Sequence, residues 1–340
     1  MTDTLAESDA RAENRRKPDD HGRGKDVFAK IKTAQSTGPI LALIIAVIIF
    51  SLSTDTFLNA PNLSLILQQT VVVGMLAIGQ TLVILTSGID LANAASMVLG
   101  MVLAAKVAQD HGGALGLIVA LVVCVGIGLI SGTLASKLRL PAFIATLGMF
   151  TILTATSRLI TNSQSVPVAD PVLRLLSTGT TIGDFKITLG TALWIVMIAV
   201  MIYALNRTAW GRHVYAVGDS PIAARANGVQ VNRVLLSVYA VAGLTYAIAG
   251  WQSFGRVSVA DPSAYQNGNM DAITAVVIGG TSMFGGRGGV FGSMIGAIIV
   301  VVLKNGLTQA GIDSLYQEIA TGILVIVAVL VDRFSRKADA

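Results

Sequence analysis

The chain has almost nothing with which to do redox, metal-ligand or covalent chemistry. Its one cysteine, Cys124, lies inside an apolar run, which excludes a disulfide framework and a cysteine-based metal site within one chain. It reads as a small buried hydrophobe. The three histidines, His21, His111 and His213, fall outside the apolar runs and are assigned no chemistry. Aromatics are only 6% of the residues, with no basic stretch interleaved among them, so the basic balance does not point to nucleic acid. Phosphate-cradling capacity is missing too. The only Gly-Lys pair, Gly24–Lys25, is followed by Asp26 and has Asp19 where G-x-x-x-x-G-K-[ST] needs its first glycine. No HExxH, no GxSxG and no paired carboxylates in an apolar cleft occur, which excludes the commoner hydrolytic sites. Charged residues are 13% of the chain, and acidic ones are nearly absent from its apolar runs apart from Asp90 and Asp271 near their ends. Ion-driven carriers keep ionisable groups within the membrane, so energy has to come from elsewhere.

What is abundant is apolar residues, at 53%, and glycine, at 35 residues. With a mean hydropathy of +0.72, this composition exceeds what a soluble core can hide and implies an all-α, polytopic membrane protein. A span takes about 20 apolar residues at about 1.5 Å each. Ten runs qualify as candidates: Pro39–Ser53, Leu63–Thr86, Leu91–Val107, Leu115–Leu134, Phe143–Ile160, Leu189–Leu205, Val234–Phe254, Tyr265–Ile278, Val290–Leu303 and Ile319–Val331. Residues 1–35 carry eight basic and seven acidic residues with little apolar content, and read as a disordered tail rather than a cleaved signal peptide. The expected organisation is therefore this tail, a membrane domain over 36–333 and a short tail over 334–340. With the N-terminus inside, the inner segments hold ten Lys/Arg besides the tail and the outer ones six, which places both termini in the cytoplasm.

Two stretches interrupt the apolar pattern. Around 85–96, "LTSGIDLANAAS" places Gly88 and Asp90 between two apolar runs; around 265–289, a short helix with a polar start leads into "GGTSMFGGRGG". Irregular backbone at membrane depth survives only where protein or a water-filled cavity satisfies it, so both read as short or broken helices. Aligning Ser87 with Gly279 also aligns Gly88 with Gly280, Val98 with Val290 and Gly100 with Gly292, a weak internal echo. Gly128/Gly132 and Gly292/Gly296 form GxxxG pairs suited to close helix packing. Asp90 either caps the N–H groups of Ala92 or Asn93 or lines a polar path; Asp271 is either a first-turn dipole partner or a path residue. Gln80, Thr81, Thr86, Asn93, Thr146, Thr281 and Ser282 are neutral hydrogen-bonding groups suited to brief contact with a hydroxylated solute, though Ser and Thr also bond their own helix backbone.

"GDSPIAARANGVQVNR" (218–233) is different in kind. Ser220 caps, Pro221 fits the first turn, Ala223 and Ala224 favour helix, and Gly228 supplies the left-handed stop. A helix of about two turns is too short to fold alone. With Arg225 and the small Ala223, Ala224 and Ala226, it suits insertion into a cleft on a partner, a plain connector being the alternative.

Three blocks now stand out: "TLVILTSGIDLANAASMVLG" (81–100), "RTAWGRHVYAVGDSPIAARANGVQVNR" (207–233) and "TAVVIGGTSMFGGRGGVFGSMIGAI" (274–298). Together they resemble the permease subunits of bacterial ABC importers for monosaccharides, the ribose, xylose, arabinose, galactose and fructose group, over about Pro39 to Arg333. The resemblance implies an inner-membrane homodimer around a shared path, with an extracytoplasmic sugar-binding protein. It also implies a cytoplasmic ATPase with two nucleotide-binding modules, which would bind the ATP and Mg, leaving this chain without a cofactor. The stretch over 220–228 corresponds to the family's coupling helix, which docks on the ATPase. Where the family commonly reads G-I-D-L-S-V-G, Leu91 is followed here by Ala92, Asn93 and Ala94. The alternatives are a stand-alone proton-coupled sugar carrier using Asp90 or Asp271, and a non-transporting scaffold, which the two polar breaks disfavour.

Overall fold

The computed structural model describes residues 37–338, and the tail expected over 1–35 lies outside them. In chain order the helices are α1 (Thr37–Ser53), α2 (Ala60–Leu85), α3 (Asn93–His111), α4 (Gly113–Ser136), α5 (Ala142–Thr161), α6 (Leu189–Arg207), α7 (Ala209–Asp219), α8 (Pro221–Ala226), α9 (Val231–Ser253), α10 (Gly268–Ile278), α11 (Val290–Gln309) and α12 (Ser314–Ala338). Local chemistry sets many of the ends. Pro61 sits in the first turn of α2, Thr188 and Thr208 accept N–H bonds that start α6 and α7, and Asn162 closes α5 in the left-handed conformation at φ +51°.

All ten apolar runs fall largely on helices, and they differ in whether length and composition suffice to span a bilayer. Among the described residues six helices, α2, α4, α5, α6, α9 and α11, are long and apolar enough to cross a bilayer. α1 and the apolar part of α12 are shorter, as is α10, whose 11 residues rise only about half of a hydrocarbon core at about 1.5 Å each. α10 also starts three residues later than the apolar run, because Tyr265 adopts φ +54° and turns the chain before it.

α2 is the hub. It packs against α9, α11, α10 and α6, and 78% of its most apolar window is buried, against 33%, 28% and 33% in α4, α5 and α6. The latter three present Ile118, Val122, Ile152 and Ile195 outward, a surface suited to lipid. Lipid is as apolar as a side chain, so helices associate there through close van der Waals contact. Both GxxxG pairs serve that purpose. Gly128 lies against the Tyr239 carbonyl and Gly132 against Leu236 and Tyr239 of α9, while Gly292 and Gly296 lie against the Gly279 and Ala275 carbonyls at the end of α10. Cys124 is fully buried, its thiol donating to the Ser96 carbonyl at 3.2 Å.

Among the described residues four short strands occur on the connections. β1 (Val166–Pro167) pairs antiparallel with β4 (Val259–Ala260), and β2 (Gly179–Ile182) pairs with β3 (Phe185–Thr188) through a two-residue turn at Gly183 and Asp184. The first pair stitches the connection after α5 to the one after α9, and the second is a hairpin within the connection after α5.

Helix packing through glycine is directly testable. In Gly128→Ala the added methyl meets the Tyr239 backbone, whereas Gly126 on the same helix has open space around it. Thermal unfolding in detergent is expected to show Gly128→Ala destabilised by about 1–3 kcal/mol and Gly126→Ala unchanged or stabilised by up to about 1 kcal/mol.

Candidate functional site

α8 is a peg of six residues. Ser220 Oγ accepts the Ala223 N–H at 3.2 Å, Pro221 occupies the first turn, Gly228 N–H donates to the Arg225 carbonyl at 3.0 Å, and the Gly228 φ of +81° turns the chain that follows. Val229 N–H returns to the Ala224 carbonyl at 3.0 Å. These contacts hold the helix rigid in spite of its length. Ala223, Arg225, Ala226 and Gly228 are exposed. Ala224, grouped with the docking residues on sequence, turns inward instead: it is 4% exposed and anchors the peg to the bundle. Ile222, which composition alone did not single out, is 83% exposed.

The peg is rooted in both helix breaks. Ser87, in the left-handed conformation at φ +62°, directs its hydroxyl to the Gly218 carbonyl at 2.8 Å and the Phe284 carbonyl at 2.9 Å. Gly286 N–H donates to the Leu85 carbonyl at 3.0 Å, and Tyr215 of α7 donates to the Gly288 carbonyl at 2.9 Å. Gly218 has no room for a side chain, because a Cβ there would meet the Leu85 carbonyl and the Gly286 amide. The end of α2, the end of α7 and the glycine-rich loop therefore form one joint.

In the first break, over 86–92, Asp90 Oδ1 accepts the Ala92 N–H at 2.8 Å and Oδ2 accepts the Tyr246 hydroxyl of α9 at 3.1 Å. Ala92 precedes the first helical residue, so Asp90 makes the turn into α3. Thr146 of α5 accepts the Leu91 N–H at 3.1 Å and lies 3.0 Å from the Ile89 carbonyl, pinning the irregular backbone from outside. Asn93 donates to Gln80 Oε1 at 2.9 Å, and Asn269 at the start of α10 donates to the Leu91 carbonyl at 3.3 Å, tying that helix to the first break. Thr86 bonds back to the Val83 carbonyl at 2.9 Å.

In the second break, over 279–289, Thr281 accepts the Gly289 N–H at 3.2 Å, and Ser282 donates to Asp332 of α12 at 3.1 Å. Thr81 lies 2.7 Å from Ser293 Oγ while bonding the Ala77 carbonyl at 2.6 Å. Asp271 is in the first turn of α10, and both its oxygens lie 2.6 Å from Lys304 Nζ of α11.

All nine residues chosen on sequence for the path, Gln80, Thr81, Thr86, Asp90, Asn93, Thr146, Asp271, Thr281 and Ser282, are thus buried with partners inside the chain. Gln80 Nε2 is the exception in detail, being buried without a partner. Sequence reasoning passed over Ser87, Tyr215, Gly218, Lys304 and Asp332. The last two had a weak signal: each is a charge placed directly after an apolar run, Lys304 after Leu303 and Asp332 after Val331.

Residues 62–329 match the family described as the branched-chain amino acid transport system / permease component. The chain is 41% identical over 310 residues to a fructose import permease protein of Rhizobium meliloti, covering 89% of this chain and 86% of that one. It is 38% identical over 300 residues to the ribose import permease protein of Escherichia coli strain K12, covering 86% and 92%. It is 32% identical over 317 residues to the galactose/methyl galactoside import permease protein of the same strain, covering 88% and 94%. No solved structure matches the chain.

The joint sets its own test. Gly218→Ala forces backbone apart at the Leu85 and Gly286 contact and is expected to lower stability by about 1–3 kcal/mol. Ser87→Ala removes one shared hydroxyl bond and is expected to lose about 0.5–1.5 kcal/mol. Thermal unfolding of the purified protein in detergent reads both.

Proposed function

The chain belongs to the branched-chain amino acid transport system / permease component family, and from that membership we propose that it is the membrane-spanning permease subunit of an ATP-binding-cassette importer of monosaccharides. The family's description names amino acids, but the fructose, ribose and galactose permeases align over almost their whole lengths, which favours a sugar. The observation that carries the mechanism is the peg: a stiff, exposed helix whose root is hydrogen-bonded to both broken elements.

In this reading a cytoplasmic ATPase with two nucleotide-binding modules grips α8 through Ile222 and Arg225. ATP and Mg belong to that partner, and the ATP-driven movement passes through Gly218 and Ser87 to the two breaks. A sugar-binding protein delivers the solute at the other side of a bacterial inner membrane. A second copy of the chain completes the path. The excess of Lys and Arg on the peg side supports cytoplasmic termini.

The comparisons give no support to the stand-alone proton-coupled carrier, and Asp271, one of its two proposed proton sites, is already neutralised by Lys304.

The coupling role is tested in the reconstituted complex of permease, ATPase and binding protein. Ile222→Asp and Arg225→Glu change exposed side chains and are expected to lower sugar uptake and sugar-stimulated ATP hydrolysis by about tenfold, the effect of losing one interface anchor. The thermal stability of the isolated permease should not change. Uptake at the wild-type level from either variant complex would remove the peg from the mechanism. Gradient-driven uptake by the chain alone, lost in Asp90→Asn, would establish the carrier instead.

A further inference from the structure

A cavity of about 330 Å³ lies among α2, α11, the start of α12 and the connection after α9. It borders Leu65 to Val73 in the first half of α2, whereas the peg's root is at Leu85, so the cavity belongs to the opposite end of the bundle. Its volume lies within the range that holds small organic ligands. One wall is apolar, from Val72, Val73 and Val301, and the other carries Gln69, Tyr265, Asp271 and Lys304, with Arg256 and Gln317 also in the lining.

The polar wall has a specific chemistry. Asp271 and Lys304 cancel each other's charge, yet a carboxylate keeps further acceptor sites and an ammonium a third hydrogen. Side by side they offer an acceptor and a donor at the spacing of neighbouring hydroxyls. Gln69 adds an amide with both capacities and makes no hydrogen bond among the described residues. The pair keeps 30% of the Lys304 side chain and 12% of the Asp271 side chain exposed, so its outer hydrogen-bonding sites are open to the cavity. Asp271 and Lys304 cancel, and Arg256, the remaining cation of the lining, is exposed, where solvent screens it, so the lining favours an uncharged ligand over an anion.

Tyr265 is the second observation. Its φ of +54° is a left-handed conformation that an aromatic residue rarely takes, and such strain gathers at working sites. Its hydroxyl is held by Ser253 Oγ at 2.8 Å. Tyr265 also lines a smaller cavity of about 30 Å³ beside Ala94 and Ala95 at the start of α3, so it is the wall common to the two cavities.

We propose that the larger cavity holds a neutral polyhydroxylated solute, with Asp271 and Lys304 as its hydroxyl-binding pair, Gln69 as a further contact, and Tyr265 as the strained partition between this holding site and the smaller cavity at the start of α3. The proposal rests on the importer reading and names a place where that solute is held.

The test uses the full importer complex in liposomes, with fructose, ribose and galactose as probes and gluconate as the anionic control. Gln69→Trp fills the cavity without removing a hydrogen bond within the chain, and is expected to abolish saturable uptake while the complex still assembles. Lys304→Gln is expected to raise the half-saturation concentration about tenfold through loss of a charge-assisted bond. Where neither variant assembles, Gln69→Ala decides, with an expected rise of about fivefold. Wild-type half-saturation in the assembled variants would overturn the holding site, as would competition by gluconate equal to that by the sugars. A wild-type complex that takes up none of the three sugars would instead overturn the importer reading.

Discussion

Backbone that leaves the helix inside a bilayer has no water to bond with, and every structural peculiarity of this chain follows from that constraint. The breaks at 86–92 and 279–289 have amides and carbonyls that must find partners in protein. Asp90, Thr146 and Asn269 supply them in the first, Thr281, Ser87 and Tyr215 in the second. Because partners come from α5, α7 and α10, satisfying the breaks also ties them to much of the bundle. A backbone requirement thereby becomes a mechanical linkage.

The small residues follow from the same constraint. Side chains long enough to reach a broken segment need the helices around it to be close, and glycines at 128, 132, 292 and 296 bring them there. Gly218 is the extreme case: its lack of a side chain lets the peg's root touch the end of α2 directly. Charge is handled in a similar way. The buried charges near the breaks are few, and Asp271, Asp90 and Asp332 each meet a cation or hydrogen-bond donors.

Much of this was legible in the sequence because it depends on composition or on local signals. The apolar runs fall where the helices lie, Ser220, Pro221 and Gly228 mark the ends of the peg, and Gly88, Asp90 and the 279–289 glycines mark the breaks. The echo between Ser87 and Gly279 pointed to two related interruptions, and in the folded chain the interruptions lie together. What stayed hidden was tertiary. Nothing near Ser87 announces that its hydroxyl will cross to Gly218 and Phe284, since those partners are 131 and 197 residues away. The inward turn of Ala224 was invisible for a related reason: a six-residue helix has too little length for a periodic pattern to show which side is buried. The Gly183–Asp184 hairpin, by contrast, carried a recognisable turn pair and was obscured only by the apolar character of the rest.

The naked isoleucine at the tip of the peg has one more consequence. At 83% exposure Ile222 keeps nearly its whole side chain out of the chain's own packing. Burying such a side chain against a second surface would return about 1.5–3 kcal/mol. The tip that the fold leaves bare is therefore a ready source of docking energy.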